Sequence, residues 1–549
     1  MLIMHSNLSF KWNIIKYDEN EALEDIESIL LKRFNWDFNS NSSLDDLHDP
    51  YLLTGMKEAV ERIKKAKELW QKVMIFGDYD VDWVTSASIL MHFFKKVWIL
   101  ASYRLPHRIN DWYGLKAYFI DEFASIWVDL VITVDCWTRD TEIVKYAKSK
   151  WIDVIITDHH TVPDIIPDEA IALINPKRPD CNYPFKHLSG AWVAFKLISA
   201  LALEFLEKKE VKKYIEETID ITAIWTVSDC MILVWENRII VEAWLKQIKK
   251  SRSRWLRKLI EQKIHEDLDS DIFSFLIWPK LNAAWRMDTP YKAINLILNN
   301  SDSVEETIEE IELLNEKRKD LTKYFFEESL LNINEKDNII FYHSTEITHG
   351  IIWIVAWRLT EKFYRPSIVL KEEADKYIAS CRSPEFFSIV KILEKYENYF
   401  LKFGWHKQAA WFSILKENFQ EFKDLILADI NEVDFSEHKK TISVDKIIQI
   451  EELWFNFLDK VNVFKPFWLW NLKPVFMVRN LNYNKVAYLW QWIDHIKFET
   501  NYGFKILAFG MWQFMDKIKK SDDISIIFEL NLDNYNGRKN LQLNIIDII

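Results

Sequence analysis

Asp78, Asp80 and Asp82 alternate through GDYDVDW (77–83). Asp135 lies in ITVDC (132–136), and Asp158, His159 and His160 close IITDHH (155–160). So many carboxylates, if gathered, would repel one another strongly unless cations sat among them. Hard oxygen donors with imidazole favour Mn²⁺ or Mg²⁺ over zinc or copper. The four cysteines, Cys136, Cys181, Cys230 and Cys381, are scattered and form no rival cluster.

These residues need elements that bring them together. In each segment an apolar run ends abruptly in the polar groups: MIF before Asp78, LVITV before Asp135, and DVIIT before Asp158. An uninterrupted apolar run fits a strand buried on both faces of a parallel sheet. Parallel strands deliver their polar ends to one edge. That carboxyl edge is where open α/β sheets hold ligands. The expected fold class is therefore α/β.

The chain has 26 Trp and only 9 Gly. Ordinary usage, about 7%, would give roughly 38 glycines. Many Trp also stand where a turn favours glycine: Trp83 after the DYDVD carboxylates, Trp137 after Asp135-Cys136, Trp112 in NDWYG, Trp405 in FGWH, and Trp468 and Trp470 in PFWLWN. Glycine is the usual residue at positive φ or close backbone approach. The pattern predicts that most of these Trp are glycine codons, UGA read as glycine. Trp12 is an exception that reads as a true Trp. The competing reading is a Trp-rich surface for stacking nucleobases. No chemistry is assigned to Trp side chains.

Length and composition exclude several classes. A chain of 549 residues, 49% hydrophobic, can fill two to four domain cores. Scattered cysteines fit a reducing cytoplasm. The N-terminus has no basic segment followed by a long apolar core, so no signal peptide is expected. No apolar run reaches the roughly 18 residues of a membrane span. The net charge of −12 argues against coating nucleic acid by bulk electrostatics, but not against a local basic groove.

Five regions are expected. Residues 1–50 read as an N-terminal segment, polar and irregular after a short helix-like stretch, and 51–302 as the parallel α/β domain. Residues 303–336 read as a linking helix, rich in apolar residues at helical spacing. Residues 337–430 form a smaller α/β unit, and 440–549 a small antiparallel barrel.

These blocks together resemble the DHH phosphoesterase superfamily, and within it the single-strand-specific 5′→3′ DNA exonucleases. Further blocks carry the likeness: YRLPHRINDWYGL (103–115), HLSGAWVAFKL (187–197), DITAIWTVSD (220–229), WPKLNAAWRM (278–287), HGIIWIVAWRL (349–359), ASCRS (379–383) and FGWHKQAAWF (403–412). In most of them Trp stands where the family has Gly. The resemblance implies two divalent cations, Mn²⁺ or Mg²⁺. Asp135 would bridge them, with Asp80 and Asp82 on either side. His159 and Asp220 would complete the shells, Asp220 being preferred to Asp229. Asp78 and His160 would stand nearby as ligands or just behind them, and Asp158 would orient a histidine. Catalysis would fall to Asp80, Asp82, Asp135, His159 and His160. Ser380, Arg382, Ser383 and His406 in the smaller unit would hold substrate phosphate. Arg286 would add a donor, with Lys280 as runner-up. The C-terminal barrel would be an OB-like fold gripping single strands.

The implied activity is 5′→3′ hydrolysis of single-stranded DNA to mononucleotides in repair and recombination. Implied partners are single-stranded DNA, single-strand-binding protein and a helicase, without a membrane. Two alternatives remain. One is another DHH hydrolase, such as a nanoRNase or a cyclic-dinucleotide phosphodiesterase. The other is a non-catalytic DNA-binding scaffold, which a complete ligand set argues against. The basic run KKSRSRWLRK (249–258) is read as a solvated helix face, and Cys381 as packing.

Overall fold

The computed structural model describes residues 2–5, 14–17, 24–34, 38–39, 41–77, 81–106, 115–136, 140–263, 268–298, 303–334, 337–406, 408–431, 433, 435, 438, 441–489, 492–520, 524–535 and 538–548. Its contacts define two compact units. One comprises 35–315 and 464–472, the other 1–34, 316–463 and 473–549.

The N-terminal segment is less irregular than its polarity predicts. Strands β1 (Leu2–His5) and β2 (Ile14–Tyr17) pair antiparallel. A distant strand, Thr441–Ser443, adds parallel to β2. A pairing with a segment so far along the chain leaves no local sequence signature. Helix α1 (Ile26–Lys32) follows.

The expected parallel sheet is present. Its strands are β3 (Val73–Gly77), β4 (Ala101–Arg104), β5 (Leu130–Val134), β6 (Asp153–Thr157) and β7 (Ala172–Ile174). Their order is β4-β3-β5-β6-β7, with every pair parallel. Alternate residues feed two cores. Val73, Ile75, Leu130, Ile132 and Ile155 face one, whereas Met74, Phe76, Val131, Val154 and Ile156 face the other. Helices therefore cover both faces, which is why β3, β5 and β6 lack polar alternation.

Helices α2 (Met56–Glu68) and α3 (Val81–Lys96) contribute to the first core, and α4 (Ala117–Ser125) and α5 (Thr141–Ser149) to the second. The apolar residues of α2, Met56, Ala59, Val60, Ile63 and Ala66, recur at helical spacing and are buried. Helix α6 (Gly190–Phe205) is capped by Ser189, whose Oγ accepts from the Trp192 N–H at 3.3 Å. Its apolar residues recur on all sides, and it is buried nearly throughout. Then come α7 (Lys208–Ser228), α8 (Trp235–Gln247), α9 (Arg254–Ile260), α10 (Trp278–Met287) and α11 (Pro290–Ile297). The helix expected near 303–336 is α12 (Val304–Asn332).

In the other unit, β8 (Ile340–Ser344), β9 (Ser367–Glu372), β10 (Lys376–Arg382), β11 (Phe400–His406) and β12 (Ala409–Leu415) form a sheet of order β11-β12-β10-β9-β8. Only β8–β9 is parallel. Strand β13 is Thr441–Ser443, already placed beside β2. The C-terminal sheet joins β14 (Lys446–Ile447), β15 (Val475–Leu481), β16 (Tyr483–Leu489), β17 (Trp492–Thr500), β18 (Lys505–Ala508), β19 (Ile524–Tyr535) and β20 (Arg538–Ile548). Its order is β14-β15-β19-β20-β18-β17-β16. It is not wholly antiparallel, since β14–β15 and β18–β20 run parallel.

Candidate metal centre

The sheet order reverses at β3: β4 lies on one side and β5 on the other. The crevice at such a switch point, beyond the carboxyl ends, is the ligand position of open α/β folds. Asp135 directly follows β5, and His159 and His160 follow β6. The loop after β3 carries Asp78 and Asp80, which lie outside the described residues. So does the Asp82 side chain, although its backbone belongs to the first turn of α3.

Asp135, His159 and His160 each offer a ligand atom, all within 4.8 Å of one another. Nε2 of His159 stands 3.0 Å from Asp135 Oδ1 and 3.7 Å from Asp229 Oδ2. Nδ1 of His160 is 3.9 Å from Asp135 Oδ1. Asp135 and His159 are buried, and His160 is half-buried. Two carboxylates flanking a buried imidazole make an oxygen-rich donor set that suits Mn²⁺ or Mg²⁺.

The surroundings fix these groups. Asp158 is buried, and its Oδ1 accepts from the His159 N–H (2.7 Å) and the His160 N–H (3.1 Å). The same oxygen lies 2.8 Å from His160 Nδ1. Burial opposes protonation of His160. The bond to Asp158 and the charges of Asp135 and Asp158 outweigh it, so the imidazole pKa is raised. Asn175, fully buried, donates from Nδ2 to the His160 carbonyl at 2.9 Å. The sequence reading missed Asn175. Its only signal was a polar residue ending the apolar run of β7.

Asp135 has φ 56°, a left-handed backbone that turns it off the strand end. Gly190, first residue of α6, packs directly on it. A Cβ at Gly190 would fall 2.7 Å from Asp135 Cβ and 2.9 Å from Oδ1.

Asp220, the residue preferred to Asp229 from the sequence, lies apart from this group. It lies within α7, buried, with its carboxylate accepting from Ser251 Oγ and, at 3.5 Å, from Ser253 Oγ. Burial pushes its pKa up to about 6 against those hydrogen bonds. Asp229 is instead the C-cap of α7 and faces His159. Nine residues at 100° each place the two on opposite faces of one helix. One signal favoured Asp229: a carboxylate at a helix C-terminus meets the negative end of the dipole and needs a nearby cation.

The substrate candidates fall in three places. Ser380 and Arg382 alternate along β10, and Ser383 follows directly. Arg382 and His406 both align with Ala409, so they share one row of the sheet with β12 between them. The His406 side chain lies outside the described residues. Arg382 Nη1 donates to the Cys381 carbonyl at 2.7 Å, and burial lowers its pKa. Arg286 is on α10, with its guanidinium 4.4 Å from the Trp285 ring centroid. Lys280 is engaged by Glu312.

Residues 72–224 match the family model "DHH family, N-terminal domain", and 444–547 match "RecJ OB domain". The chain is 31% identical over 517 residues to the single-stranded-DNA-specific exonuclease RecJ of Bacillus subtilis (strain 168), covering 91% of this chain and 64% of that relative. With the same-named protein of Escherichia coli (strain K12) it shares 30% identity over 395 residues, 68% of each chain. A crystal structure of RecJ with Mn²⁺ from Thermus thermophilus has the same fold. Its TM-score is 0.81 at 22% identity, covering 97% of this chain and 79% of that one. A manganese-bound exonuclease RecJ matches with TM-score 0.61 at 27% identity, covering 70% of this chain and 96% of that one.

Proposed function

The chain belongs to the RecJ family of DHH phosphoesterases, and from that premise we propose that it hydrolyses single-stranded DNA from the 5′ end, releasing mononucleotides. The observation that carries this reading is the convergence of Asp135, His159, His160 and Asp229 at the carboxyl edge of the parallel sheet. These residues, with Asp78, Asp80 and Asp82 from the neighbouring loop, would hold two divalent cations, Mn²⁺ or Mg²⁺. When bound, such cations would supply the positive charge that activates water at neutral pH and offsets the charge developing on a phosphodiester.

The chain's own residues set the conditions. Asp158 holds the His160 ring and the backbone of both histidines. Asp135, buried beneath α6, keeps a fixed carboxylate at the centre of the group. Arg382, with Ser380, Ser383 and His406, is assigned to the terminal 5′-phosphate, because a guanidinium can bind phosphate through two bonds. Arg286 supplies a further phosphate contact. The OB domain grips the single strand. Repair and recombination are the setting, with single-strand-binding protein and a helicase as partners in the cytoplasm. Among the described residues, no helix is long and apolar enough to cross a membrane.

The test uses a 3′-labelled oligonucleotide bearing a 5′-phosphate, in single-stranded and duplex form, with Mn²⁺ or with EDTA. Progressive shortening of the single strand in Mn²⁺ alone, with release of mononucleotides, is expected. Internal cuts, equal attack on duplex, or cleavage confined to dinucleotides would sink the assignment.

A further inference from the structure

Six of the eleven described non-glycine residues with positive φ are Trp. They are Trp70 (54°), Trp98 (61°), Trp127 (63°), Trp151 (65°), Trp235 (49°) and Trp470 (69°). Sterics disfavour this region for bulky L-residues, and outside glycine it collects mainly Asn and Asp. A run of tryptophans there needs a cause.

Four of the six share one structural position, the second residue beyond a helix. Helices α2, α3, α4 and α5 end at Glu68, Lys96, Ser125 and Ser149. Past each Trp the next N–H reaches back into the last turn: Gln71 to Ala66 O (2.8 Å), Ile99 to Phe94 O (2.9 Å), Val128 to Phe123 O (3.0 Å) and Ile152 to Ala147 O (3.0 Å). The N–H of each Trp bonds the carbonyl three residues earlier. This is the Schellman closure, whose pivotal left-handed residue is normally glycine. Trp470 occupies the third position of a turn closed by paired bonds between Trp468 and Asn471 (2.8 and 2.9 Å). A left-handed third position is again a glycine position.

Packing does not compensate. The four helix-end Trp are 74, 79, 81 and 93% exposed in chain order. Each precedes the start of a strand, so they line the amino edge of the sheet, opposite Asp135 and His159. Stacking DNA over the metal centre is therefore not their use. Buried Trp fit no better: the indole N–H groups of Trp192 and Trp255 have no acceptor, whereas a buried Trp ordinarily finds one.

We infer that the folded protein carries glycine at positions 70, 98, 127, 151, 235 and 470, with Trp standing for UGA codons. UGA differs from the Trp codon UGG only in its third base, and from the glycine codon GGA only in its first. A glycine tRNA altered at one anticodon base would read it.

Peptide mass analysis of the protein from the cells that naturally make it decides the matter, together with the codons. UGA codons and glycine-containing peptides at these six positions are expected. UGG codons, or Trp in those peptides, would overturn the inference. A recombinant comparison adds a physical readout. The full chain with Trp70→Gly, Trp98→Gly, Trp127→Gly and Trp151→Gly should melt higher than the chain with Trp, or fold where that chain does not. An unchanged or lower Tm would overturn it, and would leave the exposed rings as an apolar docking surface.

Discussion

Asp229 Oδ2 lies 3.7 Å from His159 Nε2, although 70 positions separate the two residues. The C-terminal end of α7 delivers this carboxylate to the sheet edge, where it shares the imidazole with Asp135. Asp229→Ala should therefore abolish cleavage by more than about 100-fold, since loss of mere supporting partners at metal sites already costs 10–100-fold. Single-strand binding should survive. Single-turnover cleavage beside an equilibrium binding assay checks both, and turnover near that of the parent would remove Asp229 from the centre.

Gly190 offers a second test, because its missing side chain is what admits Asp135. A methyl group at Gly190 would sit 2.7 Å from Asp135 Cβ and 2.9 Å from its Cγ. That is closer than packed atoms approach, so the carboxylate must shift. A ligand carboxylate held about 1 Å out of place can lose roughly 100-fold in rate. Gly190→Ala should lower kcat and weaken Mn²⁺ binding, measured by calorimetry, more than it lowers Tm. Equal losses in stability and activity would mean simple unfolding.

The parallel sheet and its polar edge were legible because buried strands leave long apolar runs, and LVITV and DVIIT end where their ligands begin. The β2–β13 pairing was not, since nothing local in IIKY names a partner more than 400 residues away. The choice between Asp220 and Asp229 also exceeded the pattern. Both belong to DITAIWTVSD, and helical period separates their faces without saying which face meets the sheet.

Asp220 now has a testable role of its own. Its carboxyl, bonded to Ser251 and buried, titrates at about 6 rather than 3.8. The folded state therefore binds a proton more tightly than the unfolded chain. Stability from this residue is full below about pH 4 and is lost as pH rises through about 6. Asp220→Asn removes that loss. It should stabilise the protein at pH 8 by up to roughly 3 kcal/mol, with little difference at pH 3.5 and cleavage retained. Urea denaturation at the two pH values reads the effect. A pH-independent difference would refute the linkage, and loss of cleavage would return Asp220 to the metal centre.

A buried ion pair gives the last prediction. Lys196 and Glu236 are 2% and 1% exposed and meet at 2.7 Å. Lys196 Nζ also donates to the His48 carbonyl at 2.7 Å, and the His48 N–H and Tyr183 hydroxyl donate to Glu236. The network ties the loop before α2 to α6 and α8. Burial lowers the Lys196 pKa, and Glu236 opposes that shift. Removing one partner strands the other charge where water cannot reach it. Lys196→Met should therefore destabilise the protein by about 3–5 kcal/mol, despite keeping the apolar bulk. Lys64 also pairs with a glutamate, Glu204, at 2.6 Å, but both are solvent-accessible. Lys64→Met should change stability little, because water replaces the lost partner. Denaturant melts of the two variants side by side provide the check. Similar losses in both would show that burial is not what makes the Lys196 pair matter.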